Sequence, residues 1–263
     1  MKILVTGGAG FIGTVTCETL LTSGHEVVCL DDLSAGGHHL LHLVNNRSFQ
    51  FILADVRSEG AMRAAVARAD AILPLAAVVG MPACDREPDQ AHSVNVDAIQ
   101  LLMRLRSKQQ RVVFPNTNSG YGTTAPGVVC TEETPLKPIS LYARLKAEAE
   151  AIVMEGENTV ALRLATVFGV SPRMRRDLLV NDFVWRAMTS RRIEVFEGEA
   201  LRNYVHVRDV ADAFRACATA WKMSGVFNFG NDAINMSKLD LATAVSAAVS
   251  LQRGLPVGSV KIV

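Results

Sequence analysis

The sequence has no long apolar run and no marked excess of charge of either sign. Its longest uncharged apolar stretch, residues 71–84, contains Pro74, Gly80 and Pro82 and is too short to span a bilayer. The 27 basic and 26 acidic side chains leave a formal charge of +1 over 263 residues, which argues against a nucleic-acid partner. The first residues, MKILVTGG, lack the regions of a signal peptide. We therefore expect no membrane and no nucleic-acid partner.

Paired cysteine motifs and metal-ligand clusters are also lacking. The five cysteines are odd in number, far apart and never in a CxxC pair, a pattern typical of reduced thiols in a reducing compartment. We therefore expect a cytoplasmic protein. His38, His39 and His42 cluster without a nearby carboxylate or cysteine partner, so we expect no metal site.

What the sequence does contain is an alternation of short apolar strands and helices. Hydrophobic residues make up 49% of the chain, which is ample for a globular core. The predicted strands are 2–6, 26–31, 49–54, 71–76, 111–116 and 159–164, and the predicted helices are 11–22, 60–69, 90–106 and 140–155. This order predicts an α/β fold, a doubly wound parallel sheet covered on both faces.

The pattern changes after about residue 168. An arginine-rich loop, SPRMRRD, follows at 171–177, and its arginines either contact phosphates or are simply solvated. Shorter elements come next: helices 178–189, 209–221 and 237–249, strands 193–196 and 226–229, and an extended stretch at 203–207. We predict one domain over residues 1–168 and a smaller C-terminal substrate lobe over 169–263, partly interleaved with the first.

A glycine-rich loop joins the first strand to the first helix. Residues 6–13 read TGGAGFIG, with Gly7, Gly10 and Gly13 between the strand and a helix that opens with Phe11 and Ile12. In a dinucleotide-binding loop these glycines give the tight turn, the close backbone approach to a pyrophosphate and the helix–strand packing. Free N–H groups at the helix N-terminus favour the phosphates. The alternative is a tight turn that serves packing alone.

An acidic residue ends the second strand, as such a site requires. Asp31 lies 18 residues after Gly13 and is followed by Asp32, Leu33 and Ser34, with no Arg or Lys. A carboxylate here binds the adenosine ribose hydroxyls and repels a 2′-phosphate, which favours NAD over NADP. Asp55 follows the third strand and either meets the adenine amino group or caps the next helix.

Tyr142 and Lys146 are spaced i and i+4 on a predicted helix, so both project from one face. A nearby ammonium stabilises a phenolate and lets a tyrosine act as a base. The alternative is a solvated pair on an amphipathic helix. The predicted strand 111–116 runs into NTNSGYG at 116–122, where a hydroxyl group can hydrogen-bond the substrate oxygen. Turn chemistry alone is the other interpretation.

Together these motifs resemble the extended short-chain dehydrogenase/reductase family, in the branch acting on nucleotide-diphosphate sugars. The resemblance rests on TGGAGFIG (6–13), LDDL (30–33), ADV (54–56), LAA (75–77), NTNSGYG (116–122), PLKPISLYARLK (135–146), RLATVFG (163–169) and LRNYVHVRDVADAF (201–214). They occur in the family's order across almost the whole chain. The resemblance implies a Rossmann-type fold and bound NAD.

The resemblance also implies roles for individual residues. Tyr142 would be the general acid/base on a sugar hydroxyl, Lys146 would bind the nicotinamide ribose and tune Tyr142, and Thr117 would hold the family's Ser/Thr position. Further cofactor contacts are expected at Val56, Leu75, Ala76 and Ala77. Substrate contacts are expected at Val79 and Gly80 of the sugar loop, at Asn118 and Ser119, and at Asn181 and Arg202 near the diphosphate.

Departures from the family pattern narrow the expected reaction. Asn118 and Ser119 stand where the family's 4,6-dehydratases carry Asp and Glu, and neither titrates near neutral pH. Ser119 also replaces the glutamate of the decarboxylases and the cysteine of the 3,5-epimerase branch. The remaining chemistry is a 4-epimerisation through a transient 4-keto sugar. The alternatives are a nucleotide-4-keto-sugar reductase, another sugar-nucleotide-modifying enzyme of this type, and a non-catalytic NAD-binding regulatory scaffold.

Two further expectations come from the resemblance. Helices 90–106 and 140–155 would form a homodimer as a four-helix bundle. The family continues past the helix aligned with 237–249 by more residues than this chain has before Val263, so we expect the substrate lobe to be short at its C-terminus.

Overall fold

The computed structural model describes residues 1–123, 129–256 and 258–263, which form twelve strands. The strands are β1 (Lys2–Thr6), β2 (Glu26–Asp31), β3 (Phe49–Leu53), β4 (Ala71–Pro74), β5 (Arg111–Thr117), β6 (Thr159–Leu164), β7 (Thr166–Phe168), β8 (Arg192–Ile193), β9 (Leu201–His206), β10 (Gly225–Phe229), β11 (Asn235–Ser237) and β12 (Lys261–Ile262). Seven of them form one sheet in the order β10-β6-β5-β4-β1-β2-β3. Every neighbouring pair in it is parallel, which confirms the predicted doubly wound sheet.

Helices cover both faces of this sheet. The helices of the described residues are α1 (Phe11–Thr22), α2 (Glu59–Val66), α3 (Met81–Arg86), α4 (Pro88–His92), α5 (Ala98–Leu105), α6 (Leu141–Met154), α7 (Leu179–Ser190), α8 (Val207–Thr219) and α9 (Lys238–Gln252). Of these, α1 and α8 pack on one face of the main sheet and α2, α5 and α6 on the other, whereas α7 and α9 belong to a separate core. A π-helical turn, Ser93–Asp97, joins α4 to α5. Among the described residues, no helix combines the length and apolarity needed to cross a bilayer.

The core lies in two layers, one on each face of the sheet. Along β1, Ile3 and Val5 pack with residues of α1 and α8, while Leu4 packs with residues of α2, α5 and α6. Strands buried on both faces need apolar residues at successive positions, as the ILV run of β1 has. The strand order reverses at β1, which lies between β2 and β4. A crevice is therefore expected at the carboxyl end of β1.

The C-terminal part of the chain builds a second, smaller core. The strands β11, β9 and β7 form a three-stranded sheet, β12 pairs with β8, and α7 and α9 pack together over residues such as Phe183, Tyr204 and Leu241. β10 instead returns to the main sheet beside β6. The division into 1–168 and 169–263 stays a prediction.

Several boundaries differ from the sequence prediction for local reasons. The predicted helix 90–106 begins at Pro88, which fits a first helical turn, and contains the π-helical turn. The predicted strand 193–196 is shorter and begins one residue earlier, because β8 covers Arg192 and Ile193, which pair with β12, and beyond it the Val195 amide donates a hydrogen bond to the Val263 carbonyl at 2.8 Å. The predicted helix 209–221 starts at Val207, because the His206 ring accepts a hydrogen bond from the Arg208 amide at 3.3 Å.

Candidate active site

The glycine loop has the backbone shape that its sequence predicts. Gly7 has φ +69°, and a Cβ atom there would lie 2.5 Å from the Ala76 nitrogen, so this turn requires glycine. A Cβ atom at Gly13 would collide with the backbone of Gly7 and Gly8, so α1 packs closely on the loop. At Gly10 a Cβ atom would meet only the Gly7 oxygen, at 3.1 Å, and Gly10 faces the cavity. The backbone is therefore open there to a close-lying phosphate group.

The carboxylate of Asp31 is fixed at the end of β2. Its Oδ2 accepts a hydrogen bond from the Ala9 amide at 2.9 Å, and its Oδ1 accepts one from the Leu33 amide at 2.8 Å. Burial raises its pKa, and these two amides oppose the shift. Asp32, also at the cavity, accepts a hydrogen bond from the Ser34 amide at 2.9 Å. Together with the glycine loop, this donor and acceptor set fits the predicted adenosine and pyrophosphate of NAD.

Asp55 is held by its neighbour Arg57. The guanidinium contacts both carboxylate oxygens, and the Arg57 amide donates to Oδ1 at 2.8 Å. The ion pair lowers the pKa of Asp55. The alternative that Asp55 caps the following helix is wrong, because Ser58 is the residue that precedes α2. Its expected contact with adenine stays a prediction.

The helix α6 directs Tyr142 and Lys146 to the same cavity. The helix begins after Ser140, whose hydroxyl accepts a hydrogen bond from the Ala143 amide at 3.2 Å. The Lys146 Nζ lies 4.0 Å from the centroid of the Phe114 ring. Burial lowers the pKa of Lys146 to about 7, against the opposing charge of Glu150. At neutral pH, Lys146 therefore exists in both its charged and its uncharged form.

Burial shifts the pKa of the Tyr142 phenol in the opposite direction. Burial raises its pKa to about 12, the neighbouring Cys84 adds to the rise, and the charge of Arg175 opposes it. The phenol is therefore protonated at neutral pH, and a positive charge placed near it favours the phenolate. Cys84 itself is a buried packing residue whose thiol donates to the Val78 carbonyl at 3.4 Å.

The end of β5 brings hydroxyl groups to the cavity. Thr117 Oγ1 donates to Ser119 Oγ at 3.1 Å and accepts a hydrogen bond from the Ser119 amide at 3.2 Å. These contacts close a short 3₁₀ turn over Asn118–Tyr121. Thr117, Asn118 and Ser119 all face the cavity, where the two hydroxyls can hydrogen-bond a sugar oxygen.

One cavity of about 720 Å³ brings most of the predicted site residues together. Its volume is in the range of small-molecule sites. The predicted residues that line it are Gly7, Gly10, Phe11, Ile12, Gly13, Asp31, Asp32, Asp55, Val56, Leu75, Ala76, Ala77, Val79, Thr117, Asn118, Ser119, Tyr142 and Lys146. The cavity thus runs from the glycine loop to the tyrosine.

Three predicted substrate residues lie outside this lining. Gly80 has φ +91° and precedes α3. The Asn181 side chain accepts a hydrogen bond from the Gly169 amide at 3.1 Å and donates to the Arg175 carbonyl at 2.9 Å. Arg202 is exposed on β9, beside β11. Their substrate contacts stay predictions.

The sequence left open whether the arginines of the 171–177 loop contact phosphates or are solvated, and the structure places Arg173, Arg175 and Asp177 at the cavity. Arg175 pairs with Asp177, its Nε lying 2.9 Å from Oδ1. Their loop is fastened to α1 by Ser171, whose hydroxyl donates to the Phe11 carbonyl at 2.7 Å and lies 2.9 Å from Thr14 Oγ1. The run of arginines was a visible signal, but only these distant contacts decide which of them face the cavity.

Comparisons with known proteins agree with this geometry. Over 261 residues the chain is 32% identical to a UDP-glucose 4-epimerase of Mycolicibacterium smegmatis, covering 95% of this chain and 83% of that protein. It is 28% identical to a dTDP-glucose 4,6-dehydratase of Streptomyces niveus, over 93% of this chain and 76% of that protein. The crystal structure of a Thermus thermophilus UDP-glucose 4-epimerase in complex with NAD superposes with a TM-score of 0.82 at 27% identity, covering 95% and 84% of the two chains.

The family comparison covers most of the chain, from the first strand to the last strand of the main sheet. Residues 3–230 match the family model, and this range contains the glycine loop, Asp31, Thr117, Tyr142 and Lys146. The chain therefore belongs to the NAD dependent epimerase/dehydratase family.

Proposed function

We propose that this protein is an NAD-dependent nucleotide-diphosphate-sugar 4-epimerase that works through a transient 4-keto sugar. The observation that carries the proposal is a single cavity joining the glycine loop and Asp31 at one end to Thr117, Tyr142 and Lys146 at the other. The relatives and neighbours that bind or act on UDP- and dTDP-sugars support a substrate of the same class.

The residues of this cavity divide the work between binding and proton transfer. The glycine loop and Asp31 hold the cofactor, and Lys146 holds its ribose and favours the phenolate of Tyr142. The phenolate takes the proton of the C4 hydroxyl, while Thr117 donates or accepts a hydrogen bond at the same oxygen. When bound, NAD supplies reversible acceptance of the C4 hydride. After the ketone turns in the cavity, Tyr142 returns the proton to the oxygen.

The residues that follow Thr117 favour epimerisation over elimination of water. A 4,6-elimination requires an acid and a base besides the tyrosine, whereas Asn118 and Ser119 do not ionise near neutral pH. The 4-keto-sugar reductase is the alternative, and it consumes NAD(P)H in every turnover. The two activities therefore differ in their cofactor balance.

The experiment is to purify the protein, read the absorbance of its bound cofactor, and supply a panel of UDP-, dTDP-, GDP- and CDP-hexoses. We expect interconversion of C4 epimers with no net consumption of NAD or NADH. Tyr142→Phe should bind the sugar nucleotide but lower kcat by at least about a hundredfold, as removal of a general base does. Consumption of added NAD(P)H would instead support the reductase, and absence of any turnover by the wild-type protein would support a scaffold. Wild-type activity of Tyr142→Phe would contradict the role of Tyr142 as the base.

We also propose a homodimer through residues 90–106 and 140–155. The helices α5 and α6 contact each other on one face of the main sheet, and two such pairs form a four-helix bundle. Light scattering at micromolar concentration should give twice the mass of the chain, and a monomer would contradict this. The cytoplasmic location stays a proposal as well, supported by the five free cysteines.

A further inference from the structure

A buried ionic cluster lies directly behind the proposed catalytic residues. It consists of Asn116 at the end of β5, Glu150 on α6 and Arg163 on β6, which are 4%, 5% and 6% exposed. Burying a charged pair costs more desolvation free energy than the pair generally returns, so such a pair is a weak device for stability. A role in the site is the better explanation.

The Glu150 carboxylate is fully engaged by donors from two strands. Arg163 donates from Nε to Oε2 at 3.0 Å and from its terminal nitrogen to Oε1 at 2.6 Å. Asn116 donates from Nδ2 to Oε2 at 2.5 Å. Such a two-point guanidinium grip fixes both the position and the orientation of the carboxylate. The charge of Glu150 therefore cannot move away by a rotamer change without breaking these hydrogen bonds.

The same cluster reaches the residues that face the cavity. The Asn116 side-chain oxygen accepts a hydrogen bond from the Thr117 amide at 2.8 Å. Glu150 lies one helical turn after Lys146, on the same face of α6. Phe114, whose ring lies under the Lys146 ammonium, is two residues before Asn116 and so on the same face of β5. The cluster thus links the Thr117 backbone, through Asn116, to the helix α6 that carries Lys146.

A second set of contacts holds Arg163 from the other side. One of its terminal nitrogens donates to the Tyr121 hydroxyl at 2.8 Å, and that hydroxyl donates to Asn228 Oδ1 at 2.6 Å. The 3₁₀ turn after Thr117 and the strand β10 are therefore tied to the same guanidinium.

The charges around these groups come from several elements. Glu150 acts on Lys146 from α6, Arg163 from β6 faces Glu150, and Tyr121 from the 3₁₀ turn faces Arg163. Tyr142 faces Cys84 from α3 and Arg175 from the loop before α7. Glu150 is the group that favours the charged form of Lys146 against its burial.

We propose that Glu150 is a positioning residue of the active site: gripped by Asn116 and Arg163, it fixes α6 against the end of β5 and holds a negative charge one turn from the Lys146 ammonium. Its effect on Lys146 is a property of the free protein. Only its consequence for catalysis rests on the proposed epimerase function.

The test measures the titration of Lys146 without any substrate. Lys146 is labelled with trace acetic anhydride over a range of pH, and the modified fraction is read by mass spectrometry of peptides. We expect Glu150→Gln to lower the labelling midpoint of Lys146 by about one pH unit, as loss of a nearby opposite charge does. Glu150→Asp should return most of that shift. The matched control is Glu148→Gln, an exposed glutamate on the same helix, which should leave the midpoint unchanged.

A second variant covers the case in which Glu150→Gln does not fold, since it leaves Arg163 buried without a partner. Glu150→Gln combined with Arg163→Met removes both charges and keeps the volume, and its Lys146 midpoint should also lie below that of the wild type. An unchanged midpoint in the folded variants would overturn the proposal. A lowered midpoint in a protein that turns over no sugar nucleotide would uphold it and remove the epimerase function instead. In an active enzyme, Glu150→Gln should lower kcat at least about tenfold with KM nearly constant.

Discussion

At the residue scale, burial acts on Lys146 and Tyr142 in opposite directions. It lowers the pKa of the lysine to about 7 and raises that of the tyrosine to about 12. In both cases the neutral form gains, because a charged group loses more solvation free energy in the interior. Burial therefore favours the uncharged forms of both side chains in the free site. A cation beside the phenol favours its phenolate form, which acts as the base. The guanidinium of Arg175 is one such cation.

The lowered pKa of Lys146 makes stability depend on pH. Between about pH 7 and the unfolded value near 10.5 the unfolded chain binds the extra proton, so this residue makes stability rise with pH over that window and costs most below pH 7. Lys146→Met removes this dependence. The variant's free energy of unfolding minus that of the wild type should be about 2 to 3 kcal/mol larger at pH 6 than at pH 9. Urea unfolding at both pH values measures this, and equal differences at the two pH values would contradict it.

The guanidinium of Arg175 should help to stabilise the phenolate of Tyr142. Arg175→Met is expected to move the acid limb of the kcat/KM profile to higher pH by about one unit, and Arg175→Lys should restore part of the shift. Arg176→Met is the matched control, because Arg176 stacks on Trp185 at 4.6 Å and does not line the cavity. Equal profiles for the Arg175→Met and Arg176→Met variants would show that Arg175 has no such role.

At the element scale, the strand–loop–helix unit of β1 and α1 was readable from the sequence. Its glycines are needed for geometry that involves only nearby residues and the neighbouring strand, since a Cβ atom at Gly7 or Gly13 would collide with backbone. β7 and β11 could not be predicted, because three residues are too few to show a period and each strand depends on β9 for its pairing. The direction of Arg175 was equally hidden, since its loop is set by Asn181 and Ser171.

The glycine loop offers a matched pair of substitutions at this scale. Gly10 has φ −76° and an open side toward the cavity, so Gly10→Ala should fold but weaken NAD binding about tenfold or more, since the methyl group occupies the place of a phosphate. Gly60→Ala changes an exposed helix position with nothing within 4 Å, and should leave NAD affinity unchanged and raise stability by about 0.5 to 1 kcal/mol. Calorimetric titration with NAD measures the affinity of both variants. Unaltered affinity of Gly10→Ala would exclude the loop as the phosphate site.

At the scale of the whole molecule, the part of the chain after residue 168 is joined to the first part by side-chain contacts and by one strand of the main sheet. Ser171 bonds to α1, and the His39 ring lies 3.1 Å from the Pro172 carbonyl. β10 crosses back into the main sheet beside β6. Residues far apart in sequence thereby line one cavity. The sequence indicated its two ends, at the glycine loop and at Tyr142, but could not show which residues of the 171–177 loop face it.

In the proposed 4-epimerisation, hydrogen leaves C4 of a sugar nucleotide and returns to the same carbon. The most direct measurement is to incubate the enzyme with UDP-glucose or dTDP-glucose carrying deuterium at C4 and to follow the products by NMR. We expect a C4 epimer that retains the deuterium, with no net change in NADH absorbance and no reaction in Tyr142→Phe. Transfer of the label to another carbon with loss of water, or stoichiometric consumption of NAD(P)H, would contradict it.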